Sequence, residues 1–493
     1  MKKNKLTIQY IGILLLIVTN ISFIDSLQGQ TIKKKPNVIV IITDDQGYAD
    51  VGFQNFHAST QVLTPNLDKL AQSGLIFNNG YVAFSTCGPS RASLLTGRSA
   101  SRFGVEDNDR YVDSTEIIIP RAIASQGYAT GAFGKWHLGK TSGTTPLDRG
   151  FDYYYGDQEK YKDYFMRIVA DPPCWVDGTK SPGENGRYIT DAYTDEAMTF
   201  IEKNSDKPFF VYLAYNAPHS PFLTTRQLLE RVVTERPEWT SVYERMKKET
   251  KKWKGDNYSF GKFMGEGLDE EVIRLCYISM LLAADDGVGK ILETLEKNNL
   301  RENTLIFYLS DNGAALDRPN DLGGVNLPLR SGKGSVYDGG VRVPYVMSWP
   351  GVIKPGVNND MIVSSMDIFS TTVELAGEQI PSDRVIDGVN LIPYLTGEKR
   401  GRPHESLFFR RADRNTWSIR HGDYKWVYYG GKNKKLADQE PEGGGLYDIQ
   451  HELGESVNLG EKLKSKHTEL SKLYEELTKG LPAPLLKIEG TEE

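Results

Sequence analysis

The stretch FSTCGPSRASLLTG, residues 84–97, holds one of only three cysteines in this 493-residue chain, with proline two positions on and arginine four. Pro89 suits the first turn of a helix, where its missing N–H costs nothing, and Ser90 to Thr96 is predicted to form a short helix that Gly97 stops. Cys87 then sits at a helix N-terminus, where free N–H groups and the dipole attract anions. With Arg91 one turn away, that setting suits chemistry better than packing. Asp44, Asp45, Asp311 and Asn312 form a second group, made of oxygen donors with no soft ligand among them. Such a set suits a hard cation, Ca²⁺ or Mg²⁺, and suits zinc poorly. Either pair alone reads as a turn or a helix cap; at two strand ends together they read as a metal site. Arg91, Lys135, His137, His219 and Lys333 add more positive charge than a plain carbohydrate needs. The group they await is a compact multi-oxygen anion, sulfate or phosphate.

Residues so far apart need a scaffold that gathers them. NVIVIIT after Pro36 is a β-branched run of the kind buried on both faces of a sheet, and it ends at Asp44 and Asp45. Three more predicted strands end the same way: Tyr128–Phe133 before Lys135 and His137, Phe209–Tyr215 before His219, and Thr304–Leu309 before Asp311 and Asn312. Helical patterns separate them, in LTPNLDKLAQSG, EIIIPRAIASQG, ITDAYTDEAMTFIEKN and a long segment from Glu270. Alternation of this kind predicts an α/β fold, a large mostly parallel sheet sandwiched by helices. Ligands in such sheets bind beyond the carboxyl ends of the strands, so these chain ends are predicted to converge on one pocket.

Length favours one large domain with a smaller partner. We expect a leader over 1–30, a catalytic α/β domain over 31–385, and a smaller C-terminal α+β subdomain over 386–493. The last contains antiparallel strands and a terminal amphipathic helix over Glu461–Lys479. MKKNK, the apolar IGILLLIV and the polar SLQGQ follow the layout of a secretory signal peptide, which predicts an exported protein, periplasmic or secreted. No later segment is apolar enough to span a membrane, and no cysteine precedes Cys87, which excludes a lipoprotein anchor. The net charge of -6 argues against broad nucleic-acid binding. Cys174 and Cys276 could pair in an oxidising compartment; spacing does not decide it. The charged, aromatic stretch 224–267 reads equally as a solvated helical excursion and as a lid facing substrate.

Taken together the motifs resemble the type I, formylglycine-dependent sulfatase family of the alkaline-phosphatase superfamily, and exported bacterial polysaccharide sulfatases within it. Cys87, Pro89, Ser90 and Arg91 match its Cys-x-Pro-Ser-Arg modification motif, and NVIVIITDDQGYADVGF, GKWHLG, APHSPF, SDNG, GKGSVYDGGVRVP and GLYDIQHELGESVNL stand in the family's order. The resemblance implies that a separate maturation enzyme oxidises Cys87 to formylglycine (3-oxoalanine), whose hydrate presents two hydroxyls. It further implies that Asp44, Asp45, residue 87, Asp311 and Asn312 hold Ca²⁺, with Mg²⁺ second. Arg91 would fix the hydrate, His137 would bond its second hydroxyl, and Lys135, His219 and Lys333 would hold the sulfate and its bridging oxygen. On that scheme one hydrate oxygen attacks sulfur while His219 or Lys333 protonates the departing alcohol. His137 then takes the remaining hydroxyl proton, and the aldehyde re-forms as sulfate leaves. A sulfated polysaccharide or oligosaccharide, algal or glycosaminoglycan, is the implied substrate. A phosphoester or phosphonate hydrolase of the same superfamily, or an unmodified, inactive carbohydrate-binding protein, are the alternatives.

Other noticeable residues read as structural. Asp285 and Asp286 lie in a helical pattern, and His404, His421, His451 and His467 lack metal-like spacing. The tyrosines of FDYYYGDQEKYKDYF read either as a sugar-stacking surface or as loop packing.

Overall fold

The computed structural model describes residues 35–157, 164–165, 175–176, 179–180, 187–260, 269–316, 323–430 and 444–485. The expected leader, Cys174 and its pairing, and part of both the tyrosine-rich and the 224–267 stretches lie outside them. The central strand is Asn37–Thr43, whose Val38 to Ile42 have no exposed surface. Each aliphatic side chain so buried contributes about 1.5–3 kcal/mol, which is why this run cannot be a surface element. It pairs in parallel with Thr304–Ser310 on one side and Phe209–Ala214 on the other. Ala129–Lys135 and then Tyr153–Asp157 continue the sheet in parallel beyond Phe209–Ala214. On the other flank Tyr345–Ser348 runs antiparallel to Thr304–Ser310 and to Leu75–Phe77, and Gly356–Asn358 pairs in parallel with Leu75–Phe77. The sheet is therefore large and mostly parallel, with ten strands among the described residues.

Two apolar clusters lie on its faces. One gathers the helices Ile189–Lys203 and Glu270–Lys297. The other gathers the Cys87–Thr96 and Asp367–Leu375 helices. A second sheet joins Ser406–Arg411, Thr416–His421, Tyr424–Tyr429 and Gly445–Asp448, all antiparallel, with the helix Lys464–Thr478 packed on it. Both sheets belong to one compact unit, residues 36–493.

Three expectations change in detail. The helix foreseen in EIIIPRAIASQG is only Ile119–Ala122 followed by the 3-10 turn Ala124–Gln126, because Pro120 occupies its start and Gly127, at φ 75°, ends it. The described part of the 224–267 stretch is no free excursion. Leu228, Leu229 and Val232 of the helix Arg226–Glu235, with Val242, Tyr243 and Met246 of Thr240–Lys248, bury a helical stripe in the core beneath the long helix. Of the described tyrosines in FDYYYGDQEKYKDYF, Tyr154, Tyr155 and Tyr164 are buried and Tyr153 is half-buried. Asp285 and Asp286 are structural as expected. The Asp285 carboxylate accepts from the backbone N–H groups of Asn66 and Leu67 at the start of the helix Pro65–Gln72, and Asp286 pairs with Arg231.

Candidate active site

Register decides which residues meet. Thr43 lies opposite Ser310, and Ala214 opposite both Ile42 and Gly134, so four parallel strands release their chains at one edge. Backbone bonds then tie the departing loops: Asp44 N donates to Ala217 O at 3.1 Å and Asp311 N to Thr43 O at 3.0 Å. Two strands run further than their apolar patterns suggest. Lys135 is the last residue of its strand rather than beyond it, and Ser310 closes the strand before Asp311. The glycine of SDNG is required by close approach, since a Cβ on Gly313 would lie 1.8 Å from Gly339 O.

The Cys87 helix spans Cys87–Thr96, with Pro89 its third residue, and ends at Gly97, φ 69°. Cys87 is 1 % exposed. Its Sγ lies 3.5 Å from Asp44 Oδ1, 3.9 Å from Asp45 Oδ1 and 2.9 Å from Lys333 Nζ. Arg91 looks elsewhere. Its Nε donates to Asp311 Oδ2 at 2.8 Å, one terminal nitrogen lies 2.7 Å from the same oxygen as an ion pair, and the other terminal nitrogen donates to Lys135 O at 3.1 Å. Neither the helix terminus nor Arg91 activates the thiol, because burial pushes it up to about 12. An unmodified Cys87 is therefore a poor nucleophile at neutral pH.

Charges around the thiol are matched one to one, three carboxylates against three cations. Lys135 Nζ sits 2.5 Å from Asp44 Oδ2, Lys333 Nζ 2.6 Å from Asp45 Oδ1, and Arg91 on Asp311. Burial opposes ionisation of Asp44, and Lys135, His219, Arg91 and Lys333 together outweigh it, holding that carboxyl well below its usual range. Asp45 is lowered for similar reasons, against burial and chiefly by Lys333. Asp311 moves the other way, to about 6, through burial and the neighbouring Asp44 charge. Donor atoms of Asp44, Asp45, Cys87 and His219 all lie within 4.8 Å of one another. Asn312 Nδ2 donates to Asp45 Oδ1 at 2.7 Å, leaving its buried Oδ1 without a hydrogen-bond partner. A buried acceptor left in that state costs about 1–3 kcal/mol unless something binds it.

His219 Nε2 is 3.5 Å from Asp45 Oδ2, with 27 % of the side chain exposed. Burial lowers its pKa, so the ring is held towards its neutral form. Its backbone carbonyl accepts from Tyr164 OH at 2.8 Å. His137 is buried and left-handed at φ 60°, as is Asp45 at φ 59°. Strained backbone of this kind persists only where its surroundings hold it. The carbonyl of His137 abuts the Cys87 helix, 3.4 Å from where a Cβ on Gly88 would stand.

Sequence reasoning missed the supports. Gly334 O accepts from Arg411 and Arg414 at 3.2 and 3.1 Å, Gly334 N donates to Ser85 O at 2.7 Å, and Ser418 Oγ bonds Val336 O. The loop bearing Lys333 is thus held between the Cys87 loop and the second sheet. Behind it Asp338 is buried against Lys425 at 2.6 Å and Arg342 at 3.2 Å. The only sequence signal was the motif YDGGVRVP, which carries Arg342 four residues after the buried aspartate but gives no sign of the second cation, Lys425.

A mostly parallel sheet that gathers carboxylates, lysines and a buried cysteine at its carboxyl edge has the charges to hold a metal cation and a compact oxyanion. The chain belongs to the sulfatase family, the hydrolases of sulfuric esters: the family model described as "Sulfatase" matches residues 36–378. A second, "N-sulphoglucosamine sulphohydrolase, C-terminal", matches residues 332–481. The chain is 34 % identical over 441 residues to the "Uncharacterized sulfatase YdeN" of Escherichia coli K12, covering 79 % of this chain and 71 % of that one. It is 32 % identical over 419 residues to the N-acetylgalactosamine-6-sulfatase of Mus musculus, with the same coverage. Among solved structures it is similar to Ps i-CgsB in complex with k-i-k-neocarrahexaose, with a TM-score of 0.77 and 31 % identity over 93 % of this chain and 96 % of that one.

Proposed function

We propose that this sulfatase removes sulfate from sulfated polysaccharide or oligosaccharide, through a formylglycine made from Cys87 and with a bound Ca²⁺. The observation that carries the reading is the buried contact of Cys87 with Lys333, Asp44 and Asp45. A thiol pushed up to about 12 has no use there as it stands, whereas an aldehyde hydrate would have carboxylates and cations around it. Relatives support the substrate class. One is named N-acetylgalactosamine-6-sulfatase and another was solved in complex with k-i-k-neocarrahexaose.

The donor set fits a hard cation: anionic oxygens from Asp44, Asp45 and Asp311, plus the unpartnered Asn312 Oδ1. These residues and residue 87 would hold Ca²⁺, which supplies charge neutralisation at the sulfate oxygens. Lys135 and Lys333, relieved of the carboxylates they now neutralise, would bind the sulfate. Arg91, anchored on Asp311, would orient residue 87. His219, the more exposed imidazole, would act as the acid for the leaving alcohol in its protonated form, which burial disfavours in the free protein, with Lys333 the alternative donor, and His137 would take a proton from residue 87 in the second half of the cycle. Among the described residues no helix is long and apolar enough to cross a membrane. Export after removal of a leader is part of the reading, and the N-terminal pattern supports it.

The test is a panel of defined sulfated oligosaccharides with a matched pair of aryl sulfate and aryl phosphate. Release of sulfate from one glycan position, with aryl sulfate hydrolysed faster than aryl phosphate, is the expected result. Faster phosphate hydrolysis would favour a phosphoester hydrolase, and turnover of aryl esters alone would remove the glycan.

A further inference from the structure

Along the edge where Leu75–Phe77 pairs with Gly356–Asn358, a cavity of about 520 Å³ opens, within the range of roughly 300–1,000 Å³ usual for small-molecule sites. None of the ten site residues named above lines it. Aromatic rings contribute one part of the lining: Phe53, and Tyr48 with Phe56, whose centroids are 5.9 Å apart and tilted by 41°. Side-chain amides contribute another, among them Gln54, Asn78 and Asn359. Two basic groups reach it, and both are already matched. Arg342 pairs with Asp338 at 3.2 Å and donates to Asn78 O at 2.7 Å, and His451 Nδ1 lies 3.0 Å from the Asp448 carboxylate.

The combination selects a chemistry. Aromatic faces match the C–H faces of a pyranose ring, and amides match its hydroxyls. A sulfate, phosphate or carboxylate would need an unmatched cation, which this lining lacks; a purely apolar ligand would leave the amides dry. We propose that this cavity binds uncharged saccharide units, unsulfated residues of the glycan whose sulfate esters are cleaved at the other site. The proposal rests on the glycan reading of the substrate. It makes the protein a two-site binder of one polymer, in which local attachment raises the effective concentration of the ester at the reacting edge.

Calorimetric titration of the full mature protein with an uncharged, chemically desulfated galactan hexasaccharide and an uncharged N-acetylhexosamine hexasaccharide tests this. At least one should bind. Gln54→Ala and Phe56→Ala should each weaken it about ten-fold or more, while aryl sulfate turnover and melting temperature stay unchanged. Val357→Trp covers the case in which a wall variant fails to fold, since this rim residue is 57 % exposed. It should block binding without touching the fold. Absence of binding by the parent protein, or binding that survives all three substitutions, overturns the proposal. Failure of the glycan reading looks different: a saccharide would bind and no sulfated glycan would be turned over.

Discussion

Lys333 Nζ bridges Cys87 Sγ and Asp45 Oδ1, at 2.9 and 2.6 Å, so one ammonium touches both the residue that would be converted and a carboxylate that would hold the metal. On the proposed reading both partners would change before substrate binds: the thiol would become an aldehyde, and the carboxylate would turn towards a metal cation of higher charge. Lys333 would then be the group set free for the sulfate.

Residue 87 is expected to be formylglycine in active protein. The tryptic peptide ending at Arg91 should carry the aldehyde mass, in proportion to specific activity across preparations. Full activity in protein carrying only the thiol would sink the mechanism. Cys87→Ala should lose turnover altogether while keeping its fold.

Asp311→Ala should lose bound calcium and activity together. It should also cost about 3–5 kcal/mol of stability, because it strands the buried Arg91 guanidinium. Asp311→Asn retains the shape and should be destabilised less. Elemental analysis beside thermal melts separates the two effects; unchanged calcium and turnover would remove Asp311 from the site.

His137 and His219 are expected to divide the cycle. His137→Ala should release one equivalent of alcohol per active site and then stall, whereas His219→Ala should be slow from the first turnover, by about 10²–10⁴-fold with a sugar leaving group. An activated aryl sulfate needs less protonation and should suffer less. Rapid-quench measurement of alcohol release decides the assignment, and a burst in the His219 variant alone would reverse it.

His404 Nε2 lies 2.7 Å from Asp367 Oδ1 in a buried pair. Burial lowers the imidazole pKa, the Asp367 carboxylate outweighs it, and the net shift is upward. The folded protein therefore holds this proton above the pH at which the unfolded chain releases it. The stabilisation is fully present below about pH 6.5 and is lost as pH rises through the folded value. Melting curves of the parent and His404→Gln should diverge most in mild acid and draw together towards alkaline pH. A gap that widens with pH would contradict the assignment.

The scaffold was legible because strands buried on both faces must be unbroken apolar runs, as NVIVIIT and TLIFYL are, and because polar residues at their ends can only lie at the sheet edge. Arg91 illustrates the limit. Its motif marks it beside Cys87, yet its partner is Asp311, 220 residues away, set by strand register. The clamp of Arg411 and Arg414 on Gly334 O is a contact between ordinary surface residue types and a carbonyl, which leaves no trace in composition. In 224–267 the charged residues masked an apolar stripe of helical spacing, the feature that buries it.

Cys87, 1 % exposed beneath a finished core, sets a timetable. On the proposed reading, a separate converting enzyme would need the thiol and its flanking backbone in reach, which the buried Cys87 of the folded chain does not offer. Conversion and folding would then race for the same nascent chain, and a molecule that folded first would be stable, correctly shaped and inert. The active fraction of a preparation would be fixed by relative rates during synthesis and export, so slowing production, rather than stabilising the product, would raise it.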